Sequence, residues 1–110
     1  MLQETLRRIE GRIQDADSLC PEAKCELLDL LVTLKTEVEQ LSRTHTDQAQ
    51  TITGFAQVSA HEATREERNP RLLRLSLDGL AASVDGFEQS HPRLVEIVNR
   101  ICTTLSSLGV

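Results

Sequence analysis

The sequence predicts an all-α protein, folded as an antiparallel helical bundle in a single domain over residues 1–110. Apolar residues recur every three or four positions along most of the chain, which is the spacing of one helix face. Asn69-Pro70 and His91-Pro92 mark helix starts, because proline suits the first helical position. Strand-like alternation is missing throughout the sequence. We therefore expect one long central helix, continuous or kinked, and three shorter helices, with coiled-coil-like seams between them.

The first predicted helix covers residues 2–14. Its apolar positions are four, three and four residues apart and make one stripe: Leu2, Leu6, Ile9 and Ile13. Residues 15–18 are expected to form a turn. A second helix starts at Pro21, where Cys20 occupies the capping position and Ser18 is the alternative cap.

The central helix is predicted over residues 21–67, which corresponds to about 70 Å at ~1.5 Å per residue. A heptad pattern runs along it, and we call its nine positions the central seam: Leu27, Leu31, Leu34, Val38, Leu41, His45, Gln48, Ile52 and Phe55. His45 and Gln48 are polar interruptions, which in a coiled coil can fix the register and the oligomeric state. We favour the alternative that the helices splay at this point and that both side chains are solvated.

Residues 42–47 are the weakest helical stretch, because serine and threonine side chains compete for backbone hydrogen bonds. We expect the central helix to continue through them. The open alternative is a break near Thr44, which would cap a new helix with Asp47 three residues later.

Two further helices are predicted over residues 70–88 and 92–108. Each follows a proline boundary and carries a stripe with four-three spacing: Leu73, Leu77, Leu80, Val84 and Phe87 in the first, and Leu94, Val98, Ile101, Leu105 and Leu108 in the second. The predicted helix caps are Asn69, Ser90 and His91.

The composition limits the classes of partner. The chain has 12 basic and 17 acidic residues, a net charge of −5 and an aromatic content of 2%. These values argue against nucleic acid as a partner, both through phosphate contacts and through base stacking. The sequence shows no apolar segment long enough to span a membrane. Three cysteines without the spacing of a disulfide framework favour a reducing cytoplasm.

Self-association is expected from the length of the central helix. The shorter helices, each about 20–27 Å long at ~1.5 Å per residue, would cover only part of it. The central seam would then leave apolar surface exposed in a single chain. Because cyclic dimers are the commonest oligomers, we predict a homodimer, or a tetramer, with the central seam at the interface.

The candidate chemical groups each have a structural explanation that we favour. His91 at a helix start suits anion binding or titration, but capping also accounts for it. Glu88 and His91 have the Glu-x-x-His spacing of a di-iron ligand pair, yet they straddle a helix boundary. A basic residue recurs every three positions, a spacing that would make a phosphate-binding stripe on one continuous helix: Arg65, Arg68, Arg71 and Arg74. Because Pro70 interrupts the series, we favour a solvated turn. We predict no catalytic, cofactor-binding or metal-binding residue, and no enzymatic activity.

Several local strings resemble one family. They are Met1–Leu6, Phe87–Leu94, Asn99–Ile101 and Leu105–Val110. Together they are similar to the small helical family called domain of unknown function 4404. The resemblance covers residues 1–41 and 71–110, and the middle of the chain is longer than expected for compact members. It implies a bacterial, cytoplasmic, all-helical protein, and it supplies no catalytic residue.

The function expected from the sequence is that of a non-enzymatic helical scaffold or adaptor, which binds itself and an unidentified protein partner. The alternative is a bundle that binds a small molecule or a metal, since cavities between helices can host ligands without leaving a sequence motif. An enclosed cavity with converging polar groups would favour ligand binding. An exposed apolar groove or patch would favour the scaffold.

Overall fold

A computed structural model describes residues 2–17 and 19–108 of the chain. Within them the protein is all-helical, and no strand is present in these two segments. The five helices are α1 (Leu2–Asp15), α2 (Pro21–Ser42), α3 (Thr46–Thr64), α4 (Pro70–Ser83) and α5 (Pro92–Leu108). The all-α bundle predicted from the apolar periodicity is confirmed.

The single long helix expected over residues 21–67 is wrong, and the alternative of a break is correct. α2 ends at Ser42, and His45 has φ −135° and ψ 68°, which lie outside the helical region. The hydroxyls of this segment bond to backbone carbonyls: Ser42 to Glu39 at 2.7 Å, Thr44 to Leu41 at 3.4 Å and Thr46 to Ser42 at 3.1 Å. Such bonds compete with a continuous helix. His45, not Thr44, occupies the N-cap position of α3, and its side chain makes no capping hydrogen bond.

The break allows α3 to fold back on α2. The greatest dimension of the molecule is 37 Å, about half the length of the helix that the sequence predicts. α3 contacts each of the other four helices, so it is the central helix of the bundle. Around it lie α1, α2, α5 and α4, each touching the next in that order. Among the described residues α4 contacts neither α1 nor α2, and α3 is therefore exposed on the side between α1 and α4.

The core is aliphatic, as the scarcity of aromatic residues requires. Helices α1, α2, α4 and α5 each direct one apolar stripe toward α3 or toward a neighbour. The most completely buried apolar side chains come from every helix: Leu6, Ile13, Leu27, Leu34, Val38, Leu41, Ile52, Leu80, Leu94 and Val98. α3 contributes small residues, including Ala49, Ala56, Ala60 and Ala63. Small side chains let four helices approach it closely.

The third predicted helix is shorter than expected. α4 ends at Ser83 instead of residue 88, and the chain turns through Gly86, which has a positive φ of 95°. A positive φ suits glycine because it has no Cβ. The carboxylate of Glu88 accepts the backbone N–H of Gly86 at 2.9 Å, which stabilises this turn.

The predicted caps differ in outcome. The Asn69 side chain caps α4, since its Oδ1 accepts the backbone N–H groups of Arg71 at 3.1 Å and Leu72 at 3.2 Å. At the start of α5 the side chains of Ser90 and His91 lie 3.0 Å apart and bond to each other. The backbone carbonyl of His91 accepts the N–H of Val95, so His91 is at the cap position without side-chain capping. Cys20 caps α2, because its sulfur accepts the Ala23 N–H at 3.4 Å; Ser18 lies outside the described residues.

Arginines from other segments bind the ends of two helices. Arg12 of α1 donates to Thr64 Oγ1 at 2.6 Å and to the His61 carbonyl at 3.3 Å, near the end of α3. Arg68 donates to the Leu108 carbonyl at the end of α5. A positive charge at a helix C-terminus complements the helix dipole.

Candidate interaction surface

The central seam lies mostly inside the chain. Six of its nine residues are buried in the core of the single chain: Leu27, Leu31, Leu34, Val38, Leu41 and Ile52. His45 is half-buried and Gln48 is exposed. Phe55 is 37% exposed and lies at the surface of α3. The buried part of the seam is covered by the protein's own helices, so it is not a surface that a second copy can contact.

The large exposed apolar side chains are concentrated on two neighbouring helices. Among the described residues they are Val32 on α2, Phe55 and Val58 on α3, and Leu72 and Leu75 on α4. Val32 lies on α2, which makes no contact with α4 among the described residues. Leu75 is the most exposed, at 59%.

The contact between Phe55 and Gly79 fixes the register of α3 against α4. A Cβ placed on Gly79 would lie 2.3 Å from a ring carbon of Phe55, so the ring fills the space that a side chain would need. The two helices are antiparallel neighbours joined by residues 65–69. One turn further along α3 therefore lies beside the preceding turn of α4, which brings Val58 toward Leu75. We call Phe55, Val58, Leu72 and Leu75 together the α3–α4 face.

α4 has apolar stripes on two sides. One stripe is buried and was predicted from the sequence: Leu73, Leu77 and Leu80 within the helix, and Val84 directly after it. The other consists of Leu72, Leu75, Gly79 and Ala82, spaced three, four and three residues apart, and it begins with the two exposed leucines. Sequence reasoning missed this second stripe, although its spacing is that of a helix face. Grouped exposed apolar side chains, such as Leu72 and Leu75, are typical of interaction sites.

Charged side chains flank the α3–α4 face on α4. Arg71 and Arg74 lie in the first half of α4 and Asp78 lies in the second half, and all three side chains are exposed. None of them takes part in an ion pair within residues 2–17 and 19–108. The four arginines spaced every three residues do not form one helical stripe, because α3 ends at Thr64 before α4 begins at Pro70. Arg65 instead pairs with the buried carboxylate of Glu62 at 2.9 Å, and Arg68 binds α5.

Three rings meet where the α2–α3 link approaches the α4–α5 link. His45, Phe87 and His91 pack edge to face, with ring centroids 5.4, 5.6 and 6.3 Å apart. Each histidine Nδ1 also lies within hydrogen-bond distance of the hydroxyl of the preceding residue, Thr44 at 2.7 Å and Ser90 at 3.0 Å. The polar interruption at His45 is therefore a half-buried packing contact between two links, whereas Gln48 is exposed.

An open groove between α4 and α5 has a volume of about 450 Å³. Leu73, Leu77 and Cys102 line its floor. Burial, with a smaller effect from the negative charge of Asp78, raises the pKa of the Cys102 thiol from its ordinary 9.0 to about 11. The thiol donates weakly to the Leu77 carbonyl at 3.7 Å. This groove lacks the enclosure expected of a dedicated ligand site.

No cluster of three or more histidine, cysteine or acidic side chains suited to a metal is found in the described part of the chain. Glu88, one half of the Glu-x-x-His pair, bonds to the backbone of Gly86, while His91 bonds to Ser90. No helix in these residues is both long and apolar enough to cross a membrane.

Within the described residues, the protein is a five-helix bundle with exposed apolar side chains on α3 and α4. Comparison with protein families then places it: the chain belongs to the family described as Domain of unknown function (DUF4404), whose model matches residues 27–110. The family resemblance is thus confirmed. The match includes residues 42–70, the stretch expected to exceed the family's length, and the opening string Met1–Leu6 lies outside it. Comparisons with curated proteins and with solved structures found no match.

Proposed function

We propose that the protein is a non-enzymatic helical scaffold that associates with itself, as a homodimer, through the α3–α4 face. The observation that carries this proposal is the clustering of Phe55, Val58, Leu72 and Leu75 on one pair of helices. Burial of these partly exposed side chains against a partner removes apolar surface from water, which is the main favourable term in protein association.

A second copy suits this face because α4 has charges of both signs. Its basic residues precede its acidic residue along the helix, and these charges have no partner within the described part of the chain. A surface with separated opposite charges is complementary to a rotated copy of itself, as a two-fold interface requires. The free thiols of Cys20, Cys25 and Cys102 support a reducing compartment, and a cytoplasmic location is part of the proposal.

The test is the dissociation constant of the dimer, measured by sedimentation equilibrium from micromolar to near-millimolar concentration. Leu75→Ala removes most of a side chain that is 59% exposed in the single chain. Full burial of a leucine contributes about 1.5–3 kcal/mol, so we expect a loss of about 2–4 kcal/mol per dimer, or about 30- to 900-fold weaker dimerisation. Circular dichroism of each variant checks that the helices are retained.

Val32→Ala is the matched control. Val32 is also an exposed apolar residue, at 55%, but it lies on α2, which does not contact α4. We expect its dimerisation to equal that of the wild type. A wild-type protein that stays monomeric over the whole range, or equal weakening by Leu75→Ala and Val32→Ala, would overturn the proposal.

A further inference from the structure

The charges beside the α3–α4 face are arranged symmetrically about one leucine. Arg71, Leu75 and Asp78 are spaced four and three residues apart, so they share one stripe of α4. The midpoint between Arg71 and Asp78 lies half a residue from Leu75, the most exposed apolar side chain of the face. Neither charged side chain has an ion-pair partner within the described part of the chain.

We infer that α4 packs antiparallel against α4 of a second copy, with the two-fold axis beside Leu75. This inference rests on the proposed self-association and adds its geometry. A two-fold axis at this position places Leu75 against the partner's Leu75. The same rotation brings Arg71 beside the partner's Asp78, and Asp78 beside the partner's Arg71, because both lie about 5 Å from the axis at ~1.5 Å per residue. The symmetric contact between the two copies thus forms two ion pairs from four charged side chains.

A parallel arrangement fits the same surface less well. It would place Arg71 beside the partner's Arg71 and Asp78 beside the partner's Asp78, and like charges in contact oppose association. In the antiparallel arrangement Leu72 lies on the side of Leu75 that faces α3, where Phe55 covers Gly79. The charged pairs then lie on one border of the apolar contact, where water reaches them and they set orientation more than affinity.

Charge reversal tests this geometry. Arg71→Asp alone and Asp78→Arg alone each turn two attractive pairs into two repulsive pairs, so each should weaken homodimerisation about tenfold or more at low salt. An equimolar mixture of the two variants should form a heterodimer with an affinity close to that of the wild type. In that heterodimer both pairs are attractive again, because one copy supplies two carboxylates and the other supplies two guanidinium groups.

Arg43→Asp is the control, since it changes the net charge equally. Arg43 is an exposed residue directly after α2, a helix that does not contact α4, and we expect the change to affect homodimerisation by less than about threefold. Formation of the mixed dimer is measured by sedimentation of one labelled variant with the other unlabelled. A mixture no tighter than the single variants, with the Leu75→Ala effect retained, would overturn the antiparallel geometry while leaving self-association in place. A monomeric wild type would overturn both.

Discussion

A buried serine in the central helix gives a direct test of the core. Ser59 on α3 has no exposed surface, and its hydroxyl has no hydrogen-bond partner among the described residues. The other buried hydroxyls are paired with carbonyls one turn earlier, Thr53 with Ala49 at 2.8 Å and Ser76 with Leu73 at 2.8 Å. Ser59→Ala removes the unpaired hydroxyl and keeps the small side chain that close packing of α3 requires.

The expected effect is stabilising. An unsatisfied buried hydroxyl costs about 1–3 kcal/mol, and alanine has a higher helix propensity than serine by about 0.5 kcal/mol. Loss of the packing of one oxygen atom offsets part of this gain. We therefore expect Ser59→Ala to raise the free energy of unfolding by about 1–2 kcal/mol.

The assay is urea unfolding followed by helical circular dichroism, at one fixed protein concentration because dimerisation contributes to apparent stability. Ser76→Ala is the matched control, since it removes a buried hydroxyl that is hydrogen-bonded. It should be neutral or destabilising by up to about 1 kcal/mol. A free energy of unfolding that falls in Ser59→Ala, or changes equally in both variants, would refute the conclusion that the Ser59 hydroxyl is unpaired.

Two other predictions concern a close contact and a thiol. Gly79→Ala should lower the free energy of unfolding, because the Phe55 ring occupies the position of the new methyl group; in a Phe55→Ala background the same change should stabilise by about 1 kcal/mol through helix propensity. Stabilisation by Gly79→Ala in both backgrounds would contradict the close contact between Phe55 and Gly79. Cys102, with its pKa raised to about 11, should react with iodoacetamide at mildly alkaline pH more slowly than the exposed Cys20 and Cys25, as peptide mapping measures. Since the folded-state pKa is raised, the Cys102 contribution to stability should be complete below about pH 9 and lost between about pH 9 and 11. Equal rates of labelling at all three cysteines would contradict the slower reaction predicted for Cys102.

Most of the core was predictable because it depends on spacing alone. Leu27, Leu34 and Val38 are seven and four residues apart, as in a heptad pattern, and are buried in the structure. The same rule places Leu73 and Leu80 on the inner side of α4. Spacing determines which residues share a side of a helix, and burial of that side follows from the hydrophobic effect.

The helix break was not decided by the sequence because local preferences there nearly balance. Ser42, Thr44 and Thr46 weaken a helix by fractions of a kcal/mol each, too little to end it alone. Folding α3 back on α2 buries Ile52 and the alanines of α3 in addition, and this tertiary contribution exceeds the cost of a broken helix. His45, Phe87 and His91 then meet only because the break brings the two links together.

The break also changes the reason for expecting a dimer. A straight 70 Å helix would have needed a second chain to cover its seam. A folded one covers the seam itself, so Leu31 and Leu41 give no argument for self-association. Self-association is now expected from α4, whose first stripe packs in the core and whose second stripe keeps Leu72 and Leu75 exposed. A helix with two apolar sides at the edge of a bundle needs neighbours on both. In the described chain α3 and α5 cover the first side, whereas on the second side Leu72 and Leu75 stay exposed beside the Phe55 ring that covers Gly79.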